Sequence, residues 1–178
     1  MNATTTLDRK ELAQFLQTHI QPFVEEADEK EHLPEEVIAT LATQGYLGAT
    51  LPQKYGGLSM TQTEYAILTE EMGKICSSCR SLLTVHLSLV AETILRWGTS
   101  EQKNYWLPAL ASGKKIAAFC LTEKSAGSNP KDIQATYLKK GDTYHLKGTK
   151  KWTTFGQRAD VYLVLAKNEE TFSAFLVE

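Results

Sequence analysis

Ala118-Phe119-Cys120-Leu121-Thr122-Glu123-Lys124-Ser125-Ala126-Gly127-Ser128-Asn129 is an apolar run that breaks into a loop of small and hydroxyl-bearing residues. A strand entering such a loop can form the rim of a phosphate-bearing, aromatic cofactor. Gly127 lets backbone approach a ligand and tolerates positive φ. Neighbouring N–H groups and the Ser128 hydroxyl can face an anion. Thr122 brings a donor and an acceptor on one short side chain. By residue type alone the segment also reads as an ordinary polar turn, the commoner case for so short a signal.

The same stretch marks a change of hydrophobic period, near residue 115. Upstream the period is helical. Leu12, Phe15, Leu16, Ile20, Phe23 and Val24 form one stripe, opened by a capping-box pattern at Asp8 and Glu11 and broken at Pro22. Pro34 opens a second helix, with Val37, Ile38, Leu41 and Ala42 inward and Gly45 at its end. Thr61 with Glu64 caps a third. One long helix is expected over residues 81–97, closed by Gly98, and a last one capped by Ser100 and holding Tyr105, Trp106 and Leu107. The loop between Leu51-Pro52 and Gly56-Gly57 is rich in turn residues.

Downstream the runs are short and strand-like: residues 116–122, 132–139, 143–146, 149–154, 161–166 and 172–177. Lys140-Gly141-Asp142 is a hairpin turn, and Lys147-Gly148 suggests a second turn. Helices followed by strands imply an α+β chain with segregated parts. The expected organisation is an all-α helical domain, 1–115, followed by an antiparallel β-barrel or sandwich domain, 116–178. The run from Phe172 to Glu178 stops with no polar tail, although such a sheet needs further strands to cover its edges. The expectation is that the natural polypeptide continues, or that a partner chain supplies the rest.

Composition narrows the function classes. With 178 residues and 42% hydrophobic content the chain can bury a real core. A net charge of -2 asks for no nucleic acid and no anionic membrane surface. Residues 1–12 lack the apolar run of a secretory leader, and residues 81–97 are interrupted by His86, Glu92 and Arg96, so no membrane span is expected. Three cysteines do not make a disulfide framework. A cytoplasmic setting follows, and the Asn2-Ala3-Thr4 glycosylation pattern is discounted.

A second segment, Lys147-Gly148-Thr149-Lys150-Lys151-Trp152-Thr153-Thr154-Phe155-Gly156, could lay Trp152 on a flat ring system, with Thr153 and Thr154 at its edge. A core Trp in a strand is the commoner case. The two segments in this order, an Ala-Phe-x-Leu-Thr-Glu-x-x-Ala-Gly-Ser run and then Lys-Gly-x-Lys-x-Trp-x-Thr, resemble the flavin-binding pattern of the acyl-CoA dehydrogenase family. Tyr46-Leu47-Gly48, Leu51-Pro52-x-x-Tyr55-Gly56-Gly57 and Gly98-Thr99-x-Glu101-Gln102-Lys103 are similar to that family's front domain. The resemblance covers about residues 8 to 178.

The resemblance implies three parts: a helical domain, a β domain and a C-terminal four-helix bundle, of which only the first two are here. It implies FAD, an acyl thioester on CoA or on an acyl carrier protein, an electron-transfer flavoprotein as acceptor, and a homo-oligomer at full length. By motif position, Phe119, Leu121, Thr122, Gly127 and Ser128 would line the flavin. Thr122 would bond its pyrimidine edge, and Ser128 would also lie near substrate or pyrophosphate. Trp152, Thr153 and Thr154 would cover the ring face, with Thr154 near N5. The implied reaction removes an α-proton and passes the β-hydrogen as hydride to flavin N5. The family's base is a Glu of the bundle. None of Glu70, Glu71, Glu92, Glu101 and Glu123 matches it, so no catalytic base is assigned, and the chain by itself is expected to turn over weakly or not at all. The chain departs from the family pattern at Lys124, where Pro is usual, at Asn129 for Asp, and at Phe155 for a small polar residue. An oxidase or monooxygenase on the same fold, and a flavin-binding fragment or subunit that needs a partner, stand as the other readings.

Cys76-Ser77-Ser78-Cys79 has no second ligand pair, which favours two ordinary thiols beside a helix start over a zinc site. The scattered histidines point the same way, and no metal is expected. His86 reads as a satisfied core histidine, and Lys147, Lys150 and Lys151 as a solvated turn.

Overall fold

The structure is a computed structural model that describes residues 7–169 and 171–178. The Asn2 pattern lies outside the described residues. The chain forms two compact units, Met1–Lys114 and Lys115–Glu178.

The first unit is helical, and its helix ends are set by local chemistry. Helix α1, Arg9–His19, starts where the Asp8 side chain accepts from the Lys10 and Glu11 amides, at 2.7 and 3.2 Å. Its buried stripe is Leu12, Leu16 and Ile20. Pro22 turns the chain through a short 3₁₀ segment, Gln21–Phe23, into α2, Val24–Glu29. Helix α3, Glu35–Thr43, follows Pro34 directly and buries Val37, Ile38 and Leu41. It stops at Gly45, whose φ of 73° is left-handed. Helix α4, Gln62–Ile75, opens on a complete capping box. The Glu64 amide donates to Thr61 Oγ1 at 3.2 Å, and the Thr61 amide donates to the Glu64 carboxylate at 2.8 Å.

The expected long helix is a composite. Helix α5, Ser77–Leu83, passes through a π-helical segment, Thr84–Ala91, into α6, Glu92–Trp97. Widening the turn leaves His86, Leu87, Val90 and Ala91 buried together. Gly98 follows the last residue in an extended conformation. Helix α7, Ser100–Ala111, is capped by Thr99, one residue before the expected Ser100, with Gln102 completing the box. Trp106 is buried, but Tyr105 is 58% exposed, so only one of that pair is core.

His86 is sealed in this core, and its Nε2 lies 3.2 Å from the Leu110 carbonyl oxygen. Burial pushes its pKa down from 6.5 to about 4, against the opposing pull of neighbouring carbonyls. The unfolded chain therefore binds a proton that the folded chain refuses. The contribution of this group is complete above about pH 6.5 and is lost as pH falls toward 4.

The second unit is a five-stranded sheet built around one strand. Strands β1, Ala117–Cys120, and β5, Phe172–Val177, flank β4, Val161–Lys167. Strands β2, Thr136–Lys140, and β3, Thr143–Lys147, form the hairpin, turning at Gly141 with φ 61°. β5 pairs with β4 antiparallel. β1 runs parallel to β4, and β2 meets the far end of β4 in parallel at Thr136 and Lys167. The sheet is therefore mixed and open, not the antiparallel barrel or sandwich expected. The connection from β1 to β4 carries the hairpin and returns in the same direction, which makes the β1–β4 pairing parallel. Residues 149–154 are also not a strand, for a reason given below. Among the described residues no helix is long and apolar enough to cross a membrane.

Thermal unfolding of the protein between pH 7 and 4 is predicted to show stability declining below about pH 6.5, and His86→Gln is predicted to flatten that decline. An unchanged slope in the variant would remove His86 as its source.

Candidate flavin-facing site

The two segments singled out above are joined by hydrogen bonds. Strand β1 ends at Cys120, and the chain turns at Lys124 and Ser125. The turn is closed by the Glu123 amide to the Ala126 carbonyl at 3.0 Å and by the reverse bond at 3.3 Å. The Lys151 amide donates to the Thr122 carbonyl at 2.8 Å. The Lys150 ammonium donates to the Leu121 carbonyl at 3.1 Å. The Thr153 hydroxyl lies 3.7 Å from Cys120 Sγ. Thr122, Trp152, Thr153 and Thr154 thus belong to one neighbourhood although about thirty residues separate the segments.

The residue that organises it is Glu123. Its side chain is 5% exposed, and it accepts from Lys150 Nζ at 2.8 Å, from the Gln134 amide at 2.5 Å and from the Ala135 amide at 3.0 Å. Burial alone would raise its carboxyl. Lys150 and the two amides outweigh that, and hold it below the ordinary carboxylate value. The Lys150 side chain is only 11% exposed, so the expected solvated turn holds for Lys151, whereas Lys147 is solvated at the end of β3 and Lys150 is held in an ion pair. Sequence reading weighed Glu123 only as a candidate base and missed this pair. The signal available was two opposite charges inside the two motif segments, without any indication that they meet.

The expected site residues are half-buried or open. Phe119, Leu121, Thr122, Thr153 and Thr154 are partly exposed, and Gly127 and Ser128 are exposed. The residues beside them, Ala118, Cys120, Glu123 and Ala126, are buried. Gly127 does not use the positive φ that its residue type allows, and a side chain added there would meet nothing within 4 Å. Nothing within the fold requires glycine at this position.

Trp152 is the unusual residue. It is 84% exposed and adopts φ 60°. A left-handed conformation at a bulky residue costs on the order of 1–3 kcal/mol. The positive φ breaks the alternation a strand needs, which is why residues 149–154 do not pair. Three neighbouring bonds over-determine the loop: Gly156 amide to Thr153 carbonyl at 2.9 Å, Arg158 amide to Phe155 carbonyl at 3.0 Å, and Tyr162 hydroxyl to Gly156 carbonyl at 2.7 Å. Phe155 also has φ 60°, a conformation that asparagine adopts more readily than phenylalanine. Lys151 Nζ stands 5.8 Å from the Trp152 ring centre.

Elsewhere, Cys76 and Cys79 are free and buried, and among the described residues no cluster of side chains could hold a metal.

A helical unit followed by a mixed sheet, with this strand-loop and Trp-bearing turn, is the pair of parts that the sequence resemblance implies. Residues 3–114 match the family profile "Acyl-CoA dehydrogenase, N-terminal domain", and residues 118–178 match "Acyl-CoA dehydrogenase, middle domain". The chain belongs to the acyl-CoA dehydrogenase family. It is 34% identical over 177 residues to the short-chain specific acyl-CoA dehydrogenase of Clostridium acetobutylicum, covering 97% of this chain and 47% of that protein. Glutaryl-CoA dehydrogenase from Mycobacterium smegmatis, solved in complex with FADH2, is similar with a TM-score of 0.90 at 36% identity, over 99% of this chain and 47% of that one. A chain in the structural study of the electron-transferring flavoprotein of Acidaminococcus fermentans is similar with a TM-score of 0.90 at 33% identity, over 100% of this chain and 49% of that one. The chain thus spans about half the length of each of these three relatives.

Glu123→Ala is predicted to destabilise the second unit by about 3 kcal/mol, because Lys150 and two amides would lose their partner. Urea unfolding measures it. A loss below about 1 kcal/mol would show that water replaces the carboxylate without penalty.

Proposed function

We propose that this chain is the helical and flavin-facing part of an FAD-dependent enzyme that dehydrogenates an acyl thioester between its α- and β-carbons. One observation carries the reading. A tryptophan is held open to solvent on a strained backbone, in the loop hydrogen-bonded to the Thr122 segment. Strain maintained at an exposed aromatic is accounted for when a flat ring stacks there. Membership of the family and the similarity to a dehydrogenase solved with FADH2 support the same cofactor.

In this reading Phe119, Leu121, Thr122, Gly127 and Ser128 line the cofactor, and Trp152, Thr153 and Thr154 cover its ring. Bound flavin would supply the acceptor for the hydride that leaves the β-carbon. The chain's own groups bind and orient. Thr122 and Thr154 offer hydroxyls to the ring edge, and Ser128 meets a phosphate or the substrate. Trp152 and Phe119 exclude water from one ring face. Gly127, with open space around it, leaves room for a ligand rather than for a neighbouring side chain.

No carboxylate here is proposed as the base. Glu123 is committed to Lys150, Glu70 and Glu71 to Arg9 and Lys74, and Glu64 to its capping box. The proposed base comes from outside the chain, as do the contacts that would make a homo-oligomer. Acyl-CoA is the proposed substrate class, with an acyl carrier protein as the other possible carrier, and an electron-transfer flavoprotein is the proposed acceptor. The proposed domains are a helical one, 1–115, and an incomplete flavin-facing one, 116–178. Free thiols at Cys76, Cys79 and Cys120 fit a cytoplasmic setting.

Titrating FAD into the native full-length protein is predicted to quench tryptophan fluorescence and give a bound-flavin absorbance. Trp152→Ala is predicted to keep the fold, since the side chain is exposed, and to weaken FAD binding about tenfold or more, roughly 1.4 kcal/mol. Anaerobic addition of acyl-CoA should bleach the flavin. A folded full-length protein that binds no FAD would overturn the proposal.

A further inference from the structure

Cys76 and Cys79 take no part in the site above. Cys76 lies at the corner between α4 and α5, where its amide donates to the Met72 carbonyl at 2.8 Å and closes α4. Cys79 sits one helical turn further on. Its amide donates to Cys76 Sγ at 3.4 Å, and its thiol hydrogen-bonds the same sulfur. Cys76 is the N-cap of α5 and Cys79 its third residue, so the sulfur that accepts the Cys79 amide lies on the same turn as the Cys79 side chain and the two thiols are neighbours. Cys76 keeps 5% of its surface and Cys79 none. From this neighbouring pair we propose that Cys76 and Cys79 are a peroxide-oxidisable dithiol, with Cys76 the attacking thiol and Cys79 the resolving one.

The roles follow from the asymmetry of the pair. The hydrogen bond from the Cys79 thiol, helped by the backbone amides of Cys79 and Ser78, lowers the Cys76 thiol against the effect of burial. Cys76 is thus the more readily ionised sulfur of the two. The same bond, burial and the Cys76 charge push Cys79 up, so it stays a thiol. Only a small oxidant fits so buried a sulfur, which selects hydrogen peroxide over bulky disulfides.

In the first step the Cys76 thiolate attacks one peroxide oxygen. An S–O bond forms, the O–O bond breaks, and the departing hydroxide leaves as water on taking back from solvent the proton that Cys76 gave up on ionising. Cys76 is now a sulfenic acid and carries no charge. Two of the three causes that raised Cys79 are gone at that point, and only burial remains. The Cys79 sulfur then attacks Cys76, the S–S bond forms, the S–O bond breaks, and the hydroxide takes the Cys79 proton as a second water. Two thiols lose two hydrogens, and one peroxide is reduced to two waters. A dithiol reductant reverses the change.

The test treats the purified native protein with hydrogen peroxide, then alkylates it under denaturing conditions and maps the peptides by mass. The expected result is a peptide spanning residues 76–79 that has lost two hydrogens, resists alkylation, and recovers with dithiothreitol. Cys120→Ser should leave this unchanged. Cys79→Ser should stop at a Cys76 sulfenic acid that dimedone traps. Cys76→Ser, which keeps a side-chain oxygen to accept the Cys79 amide, should abolish oxidation with the far-UV spectrum retained. Full alkylation of both cysteines after peroxide would overturn the proposal, as would a bond to Cys120 or direct conversion of Cys76 to sulfinic acid.

Discussion

A carboxylate removed from water must be met by enough donors to replace its hydration, and in the second unit that requirement falls on Glu123. Lys150 lies 27 residues away in sequence, and Gln134 and Ala135 lie 11 and 12 away, so satisfying one side chain brings three stretches of chain together. The consequences extend through the sheet. Ala135, held by Glu123 through its amide, accepts from the Lys167 amide through its carbonyl at 2.9 Å. Strand β2 begins at the next residue, and its single parallel junction to β4 is at Thr136 and Lys167. Gly148 passes so close to Ala135 that an added side-chain carbon would lie 2.6 Å from the Ala135 Cβ, which brings the chain back toward Lys150. The ion pair, the start of β2 and the course of the Trp152 loop are parts of one arrangement.

This arrangement also accounts for what is left open. Hydrogen bonds and charge are spent on the inner residues Glu123, Lys150, Thr122 carbonyl and Leu121 carbonyl. The side chains of Ser128 and Trp152 stay outside, and Trp152 and Phe155 keep left-handed backbones that the surrounding turn bonds hold in place. Strain of this kind persists only when the neighbouring structure over-determines it. A closed ion pair behind the loop provides such a frame, and lets the exposed rim be shaped for a ligand instead of for folding.

The helical unit was legible because its determinants are local. Asp8, Pro22, Gly45 and the Thr61–Glu64 box act within one turn of the residues they govern, and each acts where expected. The cap of α7 was misplaced by one residue because Thr99 and Ser100 are adjacent hydroxyls, and only Thr99 has Gln102 at the reciprocal position. The π-helical segment carries no comparable signal, since its residues are ordinary helix formers or core residues. In the second unit the strands at β1 to β5 were found, but not their pairing, which joins residues far apart in sequence. Residues 149–154 read as a strand from composition. The left-handed Trp152 that prevents pairing follows from loop closure and cannot be seen in residue types. The motif segments were visible; the Glu123–Lys150 pair that joins them was not.

Both departures in the first motif loop, Lys124 and Asn129, follow the clamped Glu123 in the chain. A proline at position 124 would preset one φ of the turn. Lysine gives that up, yet the turn is still closed by both bonds between Glu123 and Ala126, and Glu123 is itself clamped. The loss is entropy in the unfolded chain, rather than a looser loop. At position 129 the asparagine oxygen accepts from the Lys131 amide at 3.2 Å, as an aspartate would, and its amide donates to Asp132 at 2.9 Å. An aspartate there would set two carboxylates against each other at that distance, with only surface screening to separate them. Asn129 and Asp132 are therefore one solution to capping the Pro130–Asp132 turn, reached with one less negative charge beside Ser128. For a loop proposed to face phosphate, removing a carboxylate there favours the anion, so the departure is compatible with the cofactor and bears on what else approaches the rim.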